Sequence, residues 1–271
     1  FKGVLYAAGG GFLHTYNTSD SWDDITVSTT MPMDNSTDAE VGMVNGVSTA
    51  VFANSRGVYY STTGTGWASN STASTPFIAF FKDQIYAIDK DGQLRRSSDL
   101  SGSWTNDATL KLDDDSIVGL IVARNASQER VLYAVTQQGL YVHDDANTRF
   151  IKTDFIIPKG ENNGIGTATW RGSIYYPSNM GLFKINVGRD ATVVTTVGLD
   201  KDDGVPQVYR GKITKVIPTL NELLLVVNAQ EQDTTPLTTR IHNTAGSRSR
   251  QNVHVGGGLT GFSYVAAFDD R

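Results

Sequence analysis

Few side chains in this sequence combine the types and spacing that catalysis or metal binding requires. The 271 residues include no cysteine, which excludes disulfides, thiolate metal sites and thiol nucleophiles. The four histidines, at positions 14, 143, 242 and 254, never occur as His-x-His, His-x-x-x-His or His-Glu-x-x-His. A zinc site would therefore have to be assembled from separate strands, and a histidine at the surface or at a strand end is the simpler interpretation. We predict neither a metal nor a cofactor.

Two Asp-rich turns, Asp89–Gly92 and Asp200–Gly204, suggest calcium at first sight. Each has too few oxygen donors at the wrong offsets for a twelve-residue calcium loop, and the second has no bidentate acid at its end. We interpret both as solvated turns.

Charge and hydropathy exclude two classes of partner. The net charge is −5, and no run of basic residues is longer than Arg95-Arg96, so the sequence lacks the basic stripe that nucleic acid requires. No apolar run approaches the length of a membrane span. The chain starts at Phe1-Lys2-Gly3 without a signal sequence or an initiator Met, so we expect a processed chain or a domain of a longer one.

The elements that would position any site are short strands separated by tight turns. Phe77–Trp104 shows the pattern: an apolar strand, a short turn, an alternating strand, a turn containing Gly92 and a third strand. Four further segments align on a glycine that needs a positive φ, with a large apolar residue two positions later. The five copies are Gly11-Phe12-Leu13-His14, Gly57-Val58-Tyr59-Tyr60, Gly92-Gln93-Leu94-Arg95, Gly139-Leu140-Tyr141-Val142 and Gly181-Leu182-Phe183-Lys184.

A degenerate sixth copy, Leu223–Val227 with Leu237–His242, leads us to predict an all-β fold: one six-bladed β-propeller of four-stranded antiparallel blades. Phe262–Phe268 resembles the first strand of a blade, so we expect residues 262–271 to share a closing blade with residues 1–30, which would remove exposed sheet edges. Residues 1–271 would then form a single domain. Its other blades are predicted at about 40–72, 76–110, 116–156, 165–198 and 210–256.

Three copies end in a polar turn that closes on a tryptophan, and a fourth ends in phenylalanine. The closing residues are Trp22, Trp67, Trp104 and Phe150, and the third turn contains Ser97 and Asp99. These segments resemble the Asp-box, Ser-x-Asp-x-Gly-x-Thr-Trp, of bacterial-neuraminidase-repeat propellers. The resemblance implies a structural role, with Ser and Asp capping the turn and the aromatic ring packing between blades. The match is incomplete, since one extra residue precedes Gly102 and Thr63 replaces the Asp of the second copy.

Six blades with Asp-boxes are also the sialidase architecture, which makes glycan hydrolysis the enzymatic alternative. That resemblance implies three arginines that hold a carboxylate, the first in a Phe/Tyr-Arg-Ile-Pro motif near the start, and a Tyr nucleophile with a Glu partner. Here no arginine precedes Arg56, none lies in such a motif, and glutamate occurs at only five positions. We therefore predict no catalytic residues, because a fold alone does not establish an activity.

We predict instead a non-catalytic interaction or scaffold module that binds through the loops between second and third strands. Its partners would be protein subunits of an assembly or a host-surface molecule, with a glycan-binding or sialidase-like glycan-cleaving propeller as the alternative. The composition also resembles that of propeller domains in bacteriophage tail or capsid-attached proteins, which implies an extracellular or virion-surface location. The candidate contact residues are Arg56, Lys90, Gln137, Gln138, Asn179, Gln230 and Gln232, with Arg248 and Arg250 in an exposed loop.

Overall fold

The computed structural model describes residues 1–9, 12–16, 19, 21–25, 38–54, 57–70, 77–89, 91–112, 116–125, 127–179, 181–187, 192–197, 211–220, 223–229, 241–245, 248–252 and 263–269. The regular secondary structure within these residues is β-strand throughout, which confirms the all-β class. In this part of the chain no helix is long and apolar enough to cross a bilayer.

The described strands form six sheets, and the first three follow the chain without a crossover. A three-stranded sheet has the order β1 (Tyr6–Gly9), β2 (Phe12–Tyr16), β3 (Trp22–Ile25). A four-stranded sheet has the order β4 (Asp38–Val44), β5 (Val47–Asn54), β6 (Gly57–Ser61), β7 (Ala68–Asn70). The next has the order β8 (Phe77–Phe81), β9 (Gln84–Ile88), β10 (Gln93–Ser97), β11 (Thr105–Thr109).

Two more four-stranded sheets and one five-stranded sheet complete the set. The four-stranded sheets are β12 (Ile117–Arg124), β13 (Arg130–Thr136), β14 (Gly139–Asp144), β15 (Arg149–Ile156), and β16 (Ala168–Trp170), β17 (Ser173–Ser178), β18 (Gly181–Val187), β19 (Thr192–Val197). The last sheet contains β20 (Gly211–Pro218), β21 (Leu223–Ala229), β22 (Ile241–Ala245), β23 (Arg248–Asn252) and β24 (Ser263–Asp269), in the order β20-β21-β24-β22-β23.

The contacts within the chain define two compact units. Residues 1–122 and 142–151 form the first, and residues 123–141 and 152–271 form the second. The interpretation of residues 1–271 as a single domain stays a prediction.

Tight turns set the register between first and second strands in three of the sheets. The turns Asn45-Gly46, Lys82-Asp83 and Arg171-Gly172 have positive φ at both residues, as a two-residue type I′ hairpin requires. In the first unit the two such turns are joined, because the Asp83 carboxylate accepts the Gly46 N–H at 2.8 Å. These sheets are thus built as consecutive hairpins, as the alternating sequence predicts.

The predicted positive φ of the repeat glycine is confirmed at Gly57, Gly92, Gly139 and Gly181. Two of these glycines also closely approach backbone in, or directly after, the fourth strand of their sheet. A Cβ on Gly92 would lie 2.1 Å from the carbonyl oxygen of Leu110, and one on Gly139 would lie 2.2 Å from that of Phe155. Glycine is therefore required for space as well as for conformation.

The apolar position after the glycine differs between copies. Leu13, Tyr59 and Leu94, each two positions after the glycine, are fully buried. Tyr141 and Phe183 are only half-buried, and the fully buried side chains in those copies are Leu140 and Leu182. Where a leucine stands directly after the glycine, that leucine fills the core.

The last strand and the first belong to different sheets. The predicted closing blade of residues 262–271 with 1–30 is not what the structure shows: β24 pairs antiparallel with β21 and parallel with β22, whereas β1 pairs with β2. The segment that follows β21, Gln230–Thr239, is polar and contains Pro236, which cannot donate a ladder hydrogen bond. The more apolar Ser263–Asp269 supplies the second neighbour of the apolar run Leu223–Val227 instead.

Candidate functional site

Two of the turns between second and third strands are held by one side chain in the second unit. Asn163 is 3% exposed, and its Nδ2 donates to the carbonyl oxygens of Gln137 at 3.1 Å and Pro158 at 2.9 Å. Its Oδ1 accepts the backbone N–H of Asn179 at 2.9 Å. Asn163 therefore fixes the β13–β14 turn, the segment 158–166 and the β17–β18 turn to one another.

Further bonds hold the same loops. The Gln137 Nε2 donates to the carbonyl oxygen of Glu161 at 2.7 Å, and the buried Tyr176 hydroxyl donates to that of Thr136 at 2.7 Å. Gly160 lets the segment 158–166 pack closely against the Asn179 and Asn163 side chains. A Cβ at this position would lie 2.5 Å from Nδ2 of Asn179 and 2.8 Å from the Asn163 amide. The loops are thus packed and bonded as one layer.

Three of the predicted contact residues meet on this layer. Gln137 and Gln138 are half-buried in the β13–β14 turn, and Asn179 is exposed in the β17–β18 turn. We call the side chains of Gln137, Gln138 and Asn179 the amide surface. The sequence did not identify Asn163 or Gly160, although the unusual segment KGENNGIG at 159–166 was a signal that the loop is structured.

Six further contact residues were predicted. Arg56, Lys90, Gln230 and Gln232 lie outside the described residues. The assignment of Arg248 and Arg250 to a loop was wrong, because both belong to β23, which pairs with β22, and their role as contact residues stays a prediction. The polar sequence on either side of Gly246 and Ser247 therefore forms two paired strands rather than one long loop.

The third Asp-box-like turn is closed by its own side chains. The Ser97 Oγ accepts the N–H of Asp99 at 3.1 Å and donates to the Asp99 carbonyl oxygen at 2.6 Å. The Asp99 Oδ1 accepts both the N–H and the hydroxyl of Ser101, and these bonds hold the pKa of Asp99 below its ordinary value. Trp104 packs against the core cluster that contains Ile85.

The second such turn uses hydroxyls where the motif has a carboxylate. Ser61 Oγ accepts the N–H of Gly64 at 2.8 Å, and Thr63 Oγ1 accepts that of Gly66 at 3.2 Å. The buried Trp67 indole donates to the Gly64 carbonyl oxygen at 3.3 Å and packs beside Tyr6, with ring centroids 5.6 Å apart. Thr63 therefore caps the turn from the Asp position.

The remaining two closing aromatics differ in burial. Trp22 is 47% exposed and contacts Tyr16 edge to face, with ring centroids 5.3 Å apart. Phe150 is half-buried and packs against the imidazole of His143, with centroids 5.5 Å apart.

His143 belongs to a cluster that sequence spacing did not reveal. Asp107 on β11, His143 on β14 and Asp145 just after β14 each point a nitrogen or oxygen into one place, and these atoms lie within 4.8 Å of one another. We call these three side chains the acid–histidine group. Asp107 and His143 lie 36 positions apart in the sequence, so no local motif joins them.

Two cations and a tyrosine border the acid–histidine group. Lys82 Nζ contacts Asp145 Oδ2 at 2.6 Å, which holds the pKa of Asp145 below its ordinary value. Arg96 Nε lies 3.5 Å from Asp107 Oδ2, and the hydrogen bond between Arg96 and Tyr86 raises the pKa of the guanidinium. Burial raises the pKa of the Tyr86 hydroxyl.

Comparison with known proteins identifies the fold. No protein-family model matches the sequence, and no curated protein matches it significantly. The extracellular domain of a hybrid two component system from B. thetaiotaomicron matches with a TM-score of 0.59 at 14% identity, over 93% of this chain and 32% of that one. The chain thus spans about a third of the length of that protein.

Two other solved structures are covered over most of their length. YCF48 from Cyanidioschyzon merolae matches with a TM-score of 0.55 at 11% identity, over 93% of this chain and 83% of that one. Virginiamycin B lyase from Staphylococcus aureus matches with a TM-score of 0.54 at 8% identity, over 82% of this chain and 74% of that one. Together with the four-stranded sheets, these likenesses show that the chain has a β-propeller fold.

Proposed function

We propose that this chain is a non-catalytic interaction or scaffold module that binds its partner through the amide surface. The observation that carries the proposal is the Asn163 side chain, which is buried and holds the Gln137 and Asn179 turns together. Loops that are fixed before binding lose little conformational entropy when a partner docks. In this account each of the six sheets is one blade of a six-bladed propeller.

The chemistry of the surface favours a polar partner. Gln137, Gln138 and Asn179 are uncharged and carry amide groups, which both donate and accept hydrogen bonds. A protein subunit of an assembly or a host-surface molecule fits this chemistry. A location outside the cell or on a virion surface is part of the proposal, and the extracellular domain among the structural neighbours supports the first of these.

A glycan-binding or sialidase-like glycan-cleaving propeller is the alternative. Two carboxylates do meet in the acid–histidine group, but the Asp107 side chain is 0% exposed and cannot contact a sugar. Glycoside hydrolysis needs both carboxyls at the scissile bond, so this pair does not favour hydrolysis. The likeness to a lyase concerns the fold alone.

The test compares the chain with a variant that lacks the amide surface. The triple substitution Gln137→Ala, Gln138→Ala, Asn179→Ala removes the three amides, and the exposed Gln128→Ala in the β12–β13 turn is the control. Wild type and control are expected to retain a protein from an extract of the source cells or particles, and the triple variant is expected to lose it. Saturable binding on a glycan array, or turnover of a sialoside, would favour the alternative.

A further inference from the structure

The acid–histidine group supports an inference that is independent of the amide surface. The side chains of Asp107 and His143 are both 0% exposed. Within the described part of the chain, neither carboxylate oxygen of Asp107 and neither ring nitrogen of His143 has a hydrogen-bond partner. Four buried polar atoms without such partners are costly, because each has lost its water without gaining a hydrogen bond.

The spacing of these atoms fits ligation better than hydrogen bonding. His143 Nε2 lies 3.4 Å from Asp107 Oδ1, beyond the usual range for a nitrogen–oxygen hydrogen bond. Two ligand atoms of a tetrahedral zinc ion, each about 2.0–2.1 Å from the metal, lie about 3.3 Å apart. The Asp145 oxygen completes a set whose atoms lie within 4.8 Å of one another, a separation that small side-chain rotations can close.

We propose that Asp107, His143 and Asp145 bind one divalent transition-metal ion, for which Zn²⁺ is the best match. One imidazole and two carboxylates are ligands that zinc accepts. Calcium and magnesium fit poorly, because both prefer shells made of oxygen alone and larger coordination numbers than this group offers.

The cations beside the acid–histidine group determine how a metal ion would enter it. Lys82 contacts Asp145 Oδ2, but its side chain is 56% exposed and can turn into solvent when a metal replaces it. Arg96 lies near Asp107 Oδ2 and leaves Oδ1 facing His143. Asp145 is 37% exposed and provides the route by which an ion enters.

A metal here would join two sheets through residues of the first unit. Asp107 belongs to β11 in one sheet, whereas His143 belongs to β14 in another. The ion would therefore stabilise the packing between them, since it binds the folded chain and has no preformed site in the unfolded one.

The test uses the full chain without a polyhistidine tag, after dialysis against EDTA. Titration with Zn²⁺ is expected to raise the midpoint of thermal unfolding, with one ion bound per chain by calorimetry. The same concentration of Ca²⁺ or Mg²⁺ is expected to leave the midpoint unchanged. Co²⁺ is expected to give the visible absorption of a bound, low-symmetry ion.

Three variants separate ligation from a general effect on folding. His143→Phe keeps a ring between Tyr86 and Phe150 and is expected to weaken Zn²⁺ binding at least about tenfold. Lys82→Met removes the competing cation and is expected to tighten Zn²⁺ binding several-fold. His14→Gln, at a histidine paired with the exposed Asp24, is the control and is expected to bind as the wild type does.

Absence of Zn²⁺ binding to the wild type would overturn the proposal. So would equal affinity in wild type and His143→Phe, or a Lys82→Met variant that binds no more tightly than the wild type.

Discussion

The Asn163 Oδ1 accepts the backbone N–H of Asn179 at 2.9 Å, although the two residues lie 16 positions apart in different loops. Together with the bonds from Asn163 Nδ2 to Gln137 and Pro158, this contact turns separate loops into one surface. Partner binding as proposed depends on that surface being held in place before any partner arrives.

Removal of the Asn163 amide should destabilise the chain. Asn163→Ala is expected to lower the free energy of unfolding by about 2–3 kcal/mol, because two carbonyls and one N–H lose their buried partner. Urea denaturation measures the change. Asn162→Ala, at the neighbouring and less buried position, is the control and should lie within about 0.5 kcal/mol of the wild type. An equal effect of both substitutions would contradict the assigned role of Asn163.

Two buried tyrosines of the second unit should differ in their response to loss of the hydroxyl. Tyr133 and Tyr176 are both 0% exposed, but only Tyr176 donates to a carbonyl, that of Thr136 at 2.7 Å. The Tyr133 hydroxyl has no hydrogen-bond partner among the residues that the structure describes, and burial raises its pKa to about 12. Tyr176→Phe should therefore destabilise by about 1–2 kcal/mol, whereas Tyr133→Phe should be neutral or stabilising. Equilibrium unfolding of the two variants measures both changes. A loss of stability in Tyr133→Phe as large as that in Tyr176→Phe would show that the Tyr133 hydroxyl has a hydrogen-bond partner.

The close approach of backbone to Gly92 predicts that its substitution by alanine costs more stability than its positive φ alone would cause. Gly92 has φ +88° and Gly46 has φ +74°, but only at Gly92 would a Cβ meet backbone, at 2.1 Å from the Leu110 carbonyl. Gly46→Ala should cost about 1–2 kcal/mol from its left-handed conformation. Gly92→Ala should cost roughly 3 kcal/mol or more, because the fourth strand must also shift. Thermal or urea unfolding of the two variants measures both losses of stability. Equal losses would rule out the close approach of Gly92 to the Leu110 carbonyl.

The pKa of Asp99 makes the third polar turn sensitive to acid. Because the folded-state pKa lies below the ordinary value of 3.8, the carboxylate stabilises the fold above that pH. The contribution is lost as the pH falls through the lowered pKa. Ser101→Ala removes the hydroxyl bonded to Asp99 and should move the pKa of Asp99 up toward 3.8. An NMR titration of the Asp99 carboxyl measures the shift, and Ser103→Ala, at an exposed serine of the same turn, should leave it unchanged.

The sequence predicted what local chemistry determines. Phe77–Phe81 was identified as a strand, with the next predicted at Ile85–Ile88 and observed at Gln84–Ile88, because apolar alternation and turn residues encode hairpins within a few positions. The positive φ of Gly92 followed from the same pattern.

Contacts between distant segments could not be predicted in this way. The pairing of Asp107 with His143, the Asn163 bonds and the position of β24 beside β21 all depend on which strand edges and loops meet in space. The spacing of residues in the sequence carries no information on which distant segments contact one another. For that reason Gln137, Gln138 and Asn179 were predicted individually as contact residues, but not the buried side chain that unites their turns.

Site-specific photocrosslinking tests the central claim most directly. A photoreactive amino acid replaces either Asn179 on the amide surface or Gln128 in the β12–β13 turn, and each chain is mixed with an extract of its source cells or particles and irradiated. The account predicts a protein adduct from position 179 that unlabelled wild-type chain competes away, and none from position 128. Adducts of equal yield from both positions, or only from 128, would contradict it.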